Sequence, residues 1–281
     1  MPPPMSLPTA SLTLRPELAK QALLVTAALY SGYALLGLVG LPGDLRYLAL
    51  VAAFYLLPGY LLRRDPDRAR AYQVGPEGVI PRWSWRGAKW AALLIVLVFP
   101  PFVLGFLWFY AKVCHGELGV LSPVLWLEGL SPAAGGLEKY LARFCRSYGG
   151  EFWPTALRLP EAWLLYAGFG IALELAKELF TIALPEEVFH RGYLMSALEE
   201  RWPARRKIFG APLGIAALLA CLVFAVGHLV GELAVARLAT FFPALVFSWL
   251  WRRSGSLWAP ALFHAASNLL MSVLLASTFA R

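Results

Sequence analysis

Seven stretches of this 281-residue chain stay apolar over close to the ~20 residues a helix needs to cross a lipid bilayer. They lie at about 21–41, 47–62, 90–111, 172–198, 212–232, 234–251 and 256–278, and 161–171 (EAWLLYAGFGI) reads as an extra or broken segment. Inside lipid no water can satisfy the backbone, so only helices and closed barrels span it. The alternating pattern of a barrel strand is absent. The expected fold is therefore all-α, a polytopic transmembrane bundle of about 7–8 helices. Composition agrees: 59% of residues are hydrophobic, 15% are charged, and the mean hydropathy is +0.62.

The basic residues give an orientation. With the N-terminus in the cytoplasm and seven crossings, Arg63, Arg64, Arg68, Arg70, Arg82, Arg86 and Lys89 fall inside. So do Arg201, Arg205, Arg206, Lys207, Arg252 and Arg253. That is the positive-inside pattern. The net charge of +8 thus reads as topology and contact with lipid headgroups, and nucleic-acid binding is not expected. The Pro-rich start is long for a signal peptide and has no clear cleavage site after it, so the first apolar run is taken as a membrane helix. The chain divides into a cytoplasmic segment 1–20, three helices over 21–112, an extramembrane or interfacial insert 113–160, and a core 161–281. Arg far outnumbers Lys and there is one asparagine, an association with a bacterial source; the expected location is the inner membrane. Cys114 and Cys145 share the insert and can pair there if that compartment is oxidising, whereas Cys221 sits in a span.

Ionisable groups at membrane depth cost about 2.5–3.5 kcal/mol on insertion scales, so each one is a candidate for function. Three of the four histidines, His190, His228 and His264, lie in apolar surroundings, and Asn268 follows His264 by one helical turn. A rise of ~1.5 Å per residue puts Glu186 ~18 Å, His228 ~24 Å, His264 ~12 Å and Asn268 ~18 Å above the inner surface. A single membrane histidine or asparagine usually serves as a hydrogen-bond partner between helices. Two histidines, a carboxylate and an amide at similar depth on three helices exceed what such bonding needs.

The stretch Leu184–Leu194, LPEEVFHRGYL, concentrates the charge. Adjacent helical residues diverge by about 100°, so Glu186 and Glu187 cannot face one point. A division of labour follows: Glu186 acts on the chemistry, while Glu187 pairs with Arg191, four residues on. Pro185 removes a backbone donor and predicts a bend just before the pair, opening space for water.

Glu186 to Arg191 fits EExxxR, Phe224 to His228 fits FxxxH, and His264 to Asn268 fits HxxxN. In that order the three motifs resemble the CAAX protease and bacteriocin-processing (Abi) family of glutamate-type intramembrane endopeptidases, over about residues 165–275. The resemblance implies that Glu186, helped by His228, activates a water. His264 and Asn268 would stabilise the oxyanion, and Glu187 and Arg191 would hold the first carboxylate in place. It implies no cofactor and a membrane-anchored protein or peptide as substrate, cut near its C-terminus. Removal of C-terminal sorting tails, as in myxosortase-like members, is the narrower expectation. The position before the arginine is usually aromatic in the family; here it is His190, read as modulating Glu186 or touching lipid headgroups.

Other readings stay open. Glu186, His228 and His264 also make a legitimate catalytic zinc set. A membrane immunity or interaction protein without catalysis, or a transporter, would also use a polar midplane. The aspartates Asp44, Asp65 and Asp67 supply no membrane pair, and neither HExxH nor GxSxG occurs. The insert, with Trp126, Tyr140, Phe144 and Trp153, reads as a cap selecting substrate or as an amphipathic interfacial segment.

Overall fold

Each of the seven apolar runs is a helix in the computed structural model, which describes residues 12–75, 80–115, 145, 151–154, 156–164, 169–232 and 235–280. The protein is an all-α helical membrane protein. We number its main helices α1 Glu17–Leu38, α2 Gly43–Leu61, α3 Pro66–Tyr72 and α4 Trp85–Cys114. Helix α5 is one continuous rod of five segments, Gly170–Lys177, Glu178–Ala183, Leu184–Glu187, Val188–Met195 and Ser196–Arg201. Then follow α6 Ile215–Glu232, a 3₁₀ turn Val235–Thr240, α7 Phe241–Ser254 and α8 Trp258–Thr278. Among the described residues α1, α4 and α8 are individually long and apolar enough to cross a membrane; Ile215–Gly231 is a shorter apolar helix. Most of the insert, including Trp126, Tyr140 and Phe144, lies outside the described residues.

Two compact units divide the chain: Met1–Leu93 with Ala176–Ala265, and Leu94–Leu175 with Ala266–Arg281. In the second, strand β1 (Glu151–Phe152) pairs antiparallel with the strand Phe279–Ala280 that ends the chain's described part. Phe106, Tyr110, Phe152, Leu274 and Phe279 form its buried cluster. Cys114 and Cys145 are joined by a disulfide, the pairing that sequence alone left open. These two-residue strands, and a hairpin in the first unit (β2 Arg206–Ile208 against β3 Ala211–Leu213), are too short to read from alternation.

The first unit is built around α5. Lipid-exposed helices gain little from apolar burial against one another, so close approach and polar contacts do most of the holding. Small residues supply the approach: Ala19 and Ala22 of α1, Ala183 and Ala197 of α5, and Ala261 and Ala265 of α8 are all buried in one cluster. A Cβ at Gly227 of α6 would overlap the Tyr30 ring of α1, so glycine is required there for the ring to seat.

At one end of α5 the polar contacts are ionic. Arg68 donates to Glu200 at 2.8 Å and to the Thr13 carbonyl at 2.7 Å, and also pairs with Asp65. Asp65 caps α3 by accepting from the Arg68 amide, with Pro66 at the first helical position. The Tyr72 hydroxyl donates to Glu200 at 2.8 Å, and burial, then the Glu200 charge, push its phenol far above the ordinary range. Gln73, in the left-handed region at φ 58°, bridges the α7–α8 turn: its amide donates to the Gly255 carbonyl and its oxygen accepts from the Leu257 amide. The turn itself needs φ 70° at Gly255, which glycine adopts without strain.

Candidate active site

Helix α5 runs on through Pro185 without interruption. The chain stays helical and widens into π geometry on both sides of the Glu pair, over Glu178–Ala183 and Val188–Met195. Proline cannot donate to the turn before it, so carbonyls there lose a partner. Two tyrosines of α2 replace the donor: Tyr47 gives its hydroxyl to the Thr181 carbonyl at 3.0 Å, and Tyr55 gives its own to Phe180 at 2.7 Å. Single π turns inside α-helices concentrate at functional sites, and this one carries Glu186 and Glu187 between its two wide segments.

Three helices meet there. Glu186 comes from the middle of α5, His228 from the last turns of α6 and His264 from the second turn of α8. Glu186 Oε2 lies 4.0 Å from His228 Nε2 and 3.9 Å from His264 Nε2. The same oxygen is buried and takes no hydrogen bond from a protein group. Exposure is graded across the group: the His228 side chain is 28% exposed, Glu186 14%, His264 7% and Glu187 fully buried. The cluster thus has an open edge at His228 and a closed floor at Glu187.

The second ring nitrogens set the orientation. His228 Nδ1–H donates to the Phe224 carbonyl at 3.0 Å, which turns Nε2 toward Glu186. His264 Nδ1–H donates to Glu187 Oε1 at 3.0 Å, and Arg191 donates to the same oxygen at 3.1 Å. Arg191 also reaches the Ala244 carbonyl of α7 at 3.3 Å and lies over the rings of Phe224 and Phe247 at 4.4 and 5.0 Å. Phe247 stacks on the His264 imidazole at 4.6 Å between centroids. The anticipated pairing of Glu187 with Arg191 is present. Its hold on the site is different from that expected, because Glu187 is tied to His264 and not to Glu186. The two carboxylates, pointing apart, meet opposite nitrogens of one ring.

His190 is buried within the protein. Its Nδ1–H donates to the Glu186 carbonyl at 2.8 Å and its Nε2 accepts from the Tyr30 hydroxyl at 2.6 Å. Phe54, Phe189 and Phe224 surround the ring edge-on. Asn268 stands one turn beyond His264 on α8, in the second unit, with its backbone carbonyl accepting from Ser272. Tyr30, Tyr47, Tyr55 and Phe247 were not singled out in the sequence, where each reads as one more aromatic in an apolar run. The unpaired carbonyls that Pro185 implies were the available signal for Tyr47 and Tyr55.

The donor set Glu186, His228 and His264 was weighed for zinc. A tetrahedral zinc shell places neighbouring ligand atoms about 3.4 Å apart. The Glu186 separations of 3.9 and 4.0 Å are wider, and among the described residues no His, Cys, Asp and Glu group has an arrangement able to hold a metal ion. The gap suits a water hydrogen-bonded to both sides.

Residues 168–270 match a protein-family model, that of type II CAAX prenyl endopeptidases. This segment is Rce1-like. The Rce1-like match covers a little over a third of the chain and contains Glu186, Glu187, His190, Arg191, His228, His264 and Asn268. It supports a CAAX-protease-type intramembrane endopeptidase. No curated protein and no solved structure matches the chain.

Proposed function

We propose that this protein is a glutamate-dependent intramembrane endopeptidase that hydrolyses a peptide bond in a membrane-anchored protein or peptide, near its C-terminus. The observation that carries the reading is the convergence of Glu186 Oε2 with the Nε2 atoms of His228 and His264 from three helices. In this mechanism a water sits between Glu186 and His228 on the open edge of the group. Glu186 takes a proton from it as the oxygen attacks the scissile carbonyl. His228, its Nδ1–H committed to Phe224, presents Nε2 to the same water and aligns it. A doubly protonated His264 donates through Nδ1 to Glu187 and through Nε2 to the developing oxyanion; Asn268, one turn on, adds an amide donor. The proton held by Glu186 then passes to the leaving amine. No covalent intermediate is formed.

Glu187 and Arg191 act by holding His264. Preorganised donors aimed at developing charge contribute more than donors that must be oriented during the reaction. The narrower substrate class, C-terminal sorting tails in the manner of myxosortase-like members, rests on the resemblance alone.

The test is co-expression of wild type and Glu186→Gln with candidate tail-bearing membrane proteins, followed by mass spectrometry of the new termini. Cleavage in wild type that disappears in Glu186→Gln at equal expression supports the enzyme. Cleavage retained in Glu186→Gln, or a cellular phenotype unchanged by it, points to a scaffold. Metal analysis and activity in chelator separate the water mechanism from a zinc one.

A further inference from the structure

Away from the Glu186 group, the first two turns of α4 line a cleft of about 350 Å³ formed by Arg86, Lys89, Trp90 and Leu93. These positions share one helix face, since residues three and four apart are neighbours. Arg253, in the last turn of α7, lies over the Trp90 ring, its guanidinium carbon 4.3 Å from the centroid. Trp90 is also set edge-on to Trp249, whose indole N–H donates to the Ile208 carbonyl at 3.0 Å. Arg86 donates to the Arg253 carbonyl at 3.4 Å, tying the two helices at the cleft.

Arg86 and Lys89 line the pocket, and Arg253, over the Trp90 ring, adds a third cation beside it. Among the described residues none of the three makes an ion pair with a carboxylate, although Arg15, Arg68, Arg70, Arg191 and Arg252 all do. What surrounds them is membrane-like: Trp83 and Trp85 are exposed beside the cleft, as indoles are at the headgroup level, and Leu93 is 45% exposed one turn farther along the span. Helix α4 is one of the described helices long and apolar enough to cross a bilayer.

We infer that this cleft binds the phosphodiester headgroup of an anionic glycerophospholipid. The phosphate would sit among Arg86, Lys89 and Arg253, the glycerol against Trp90, and an acyl chain would begin along Leu93. A guanidinium suits phosphate oxygens through paired N–H donors, while the lysine contributes a point charge. A zwitterionic headgroup carries an ammonium that three cations repel, so the site selects for net negative charge. This inference is independent of the proposed catalysis.

Native mass spectrometry of the full-length protein in neutral detergent tests it. Dioleoyl phosphatidylglycerol, dioleoyl phosphatidylcholine and inorganic phosphate are titrated separately. The expected result is one saturable phosphatidylglycerol adduct, weakened about fivefold by Lys89→Gln and about 25-fold by Arg86→Gln with Lys89→Gln. Both residues are exposed, so the fold tolerates the changes. The exposed Arg205→Gln serves as a charge control and should bind as wild type does. Equal retention of phosphatidylcholine, or adducts indifferent to the two substitutions, would overturn the assignment. Inorganic phosphate binding as tightly as the lipid would overturn it too, by giving the site to a free anion.

Discussion

Glu187 holds His264 by its Nδ1 at 3.0 Å through the same carboxylate oxygen that Arg191 reaches at 3.1 Å. One acceptor therefore fixes the position of the ring and ties it to the cation. Phe247 stacks on the face of the His264 ring and adds to that hold. Glu187→Gln keeps the shape and replaces the acceptor by an amide that can present its NH₂ to Nδ1. Loss of the carboxylate that holds the imidazolium weakens its donation to the oxyanion, and losing one such donor lowers kcat by about 10²–10³ with the fold intact. Steady-state kinetics on a cleaved substrate should show the fall in kcat with KM nearly unchanged; a change confined to KM would remove His264 from the oxyanion role.

Arg191 is buried, and so is its partner. Removing one member of such a pair leaves an uncompensated charge and costs about 3–5 kcal/mol. Arg191→Leu should therefore melt well below wild type in detergent. Adding Glu187→Gln to it should recover part of the loss, because the stranded carboxylate is removed. Strict additivity in the two thermal shifts would mean that the pair is not coupled.

His190 connects Tyr30 of α1 to the carbonyl of Glu186. Tyr30→Phe deletes one hydrogen bond worth about 1 kcal/mol net, and His190→Phe restores the aromatic that the family resemblance leads one to expect there. A double-mutant cycle on unfolding should give a coupling of about 0.5–1.5 kcal/mol, since both variants break the same bond. Coupling near zero would show that the 2.6 Å contact carries no energy. Catalysis should tolerate His190→Phe better than any change at Glu186, because the imidazole touches the backbone of that residue and not its carboxylate.

Gly227 has no room for a methyl group against Tyr30. Gly227→Ala should destabilise by roughly 1–3 kcal/mol, the usual cost of overpacking. Combining it with Tyr30→Leu, which withdraws the ring, should relieve most of that loss, and thermal unfolding of the two variants measures it.

Much of the fold was legible because lipid imposes helices on long apolar runs: all seven were located, and the two-residue strands were not. The site residues were legible for a different reason. Polar groups are expensive in the membrane, so Glu186, Glu187, His228 and His264 stood out against Leu and Ala, and the structure brings them together. What failed was local. Around Pro185, side chains from α2 take the freed carbonyls and the helix widens, which the sequence reading did not foresee. The pairing of Glu187 with Arg191 follows from i+4 spacing and is present, while the contact with His264 was missed because it depends on how α8 packs, which no local pattern encodes. The aromatic contacts of Tyr30 and Phe247 were hidden for the opposite reason: in a chain with 17 phenylalanines and 11 tyrosines, nothing local separates the ring that orients an imidazole from the ring that fills space.

The phenol groups of Tyr47 and Tyr55 belong to a part of the chain that the Rce1-like match does not reach. They act as external splints for a rod whose own ladder of bonds is missing rungs. The portion that resembles a protease is consequently not a module that can be lifted out: detached from its first two helices, residues 168–270 would carry every acid, imidazole and amide of the proposed chemistry on a helix stripped of the two phenols that brace it beside Pro185.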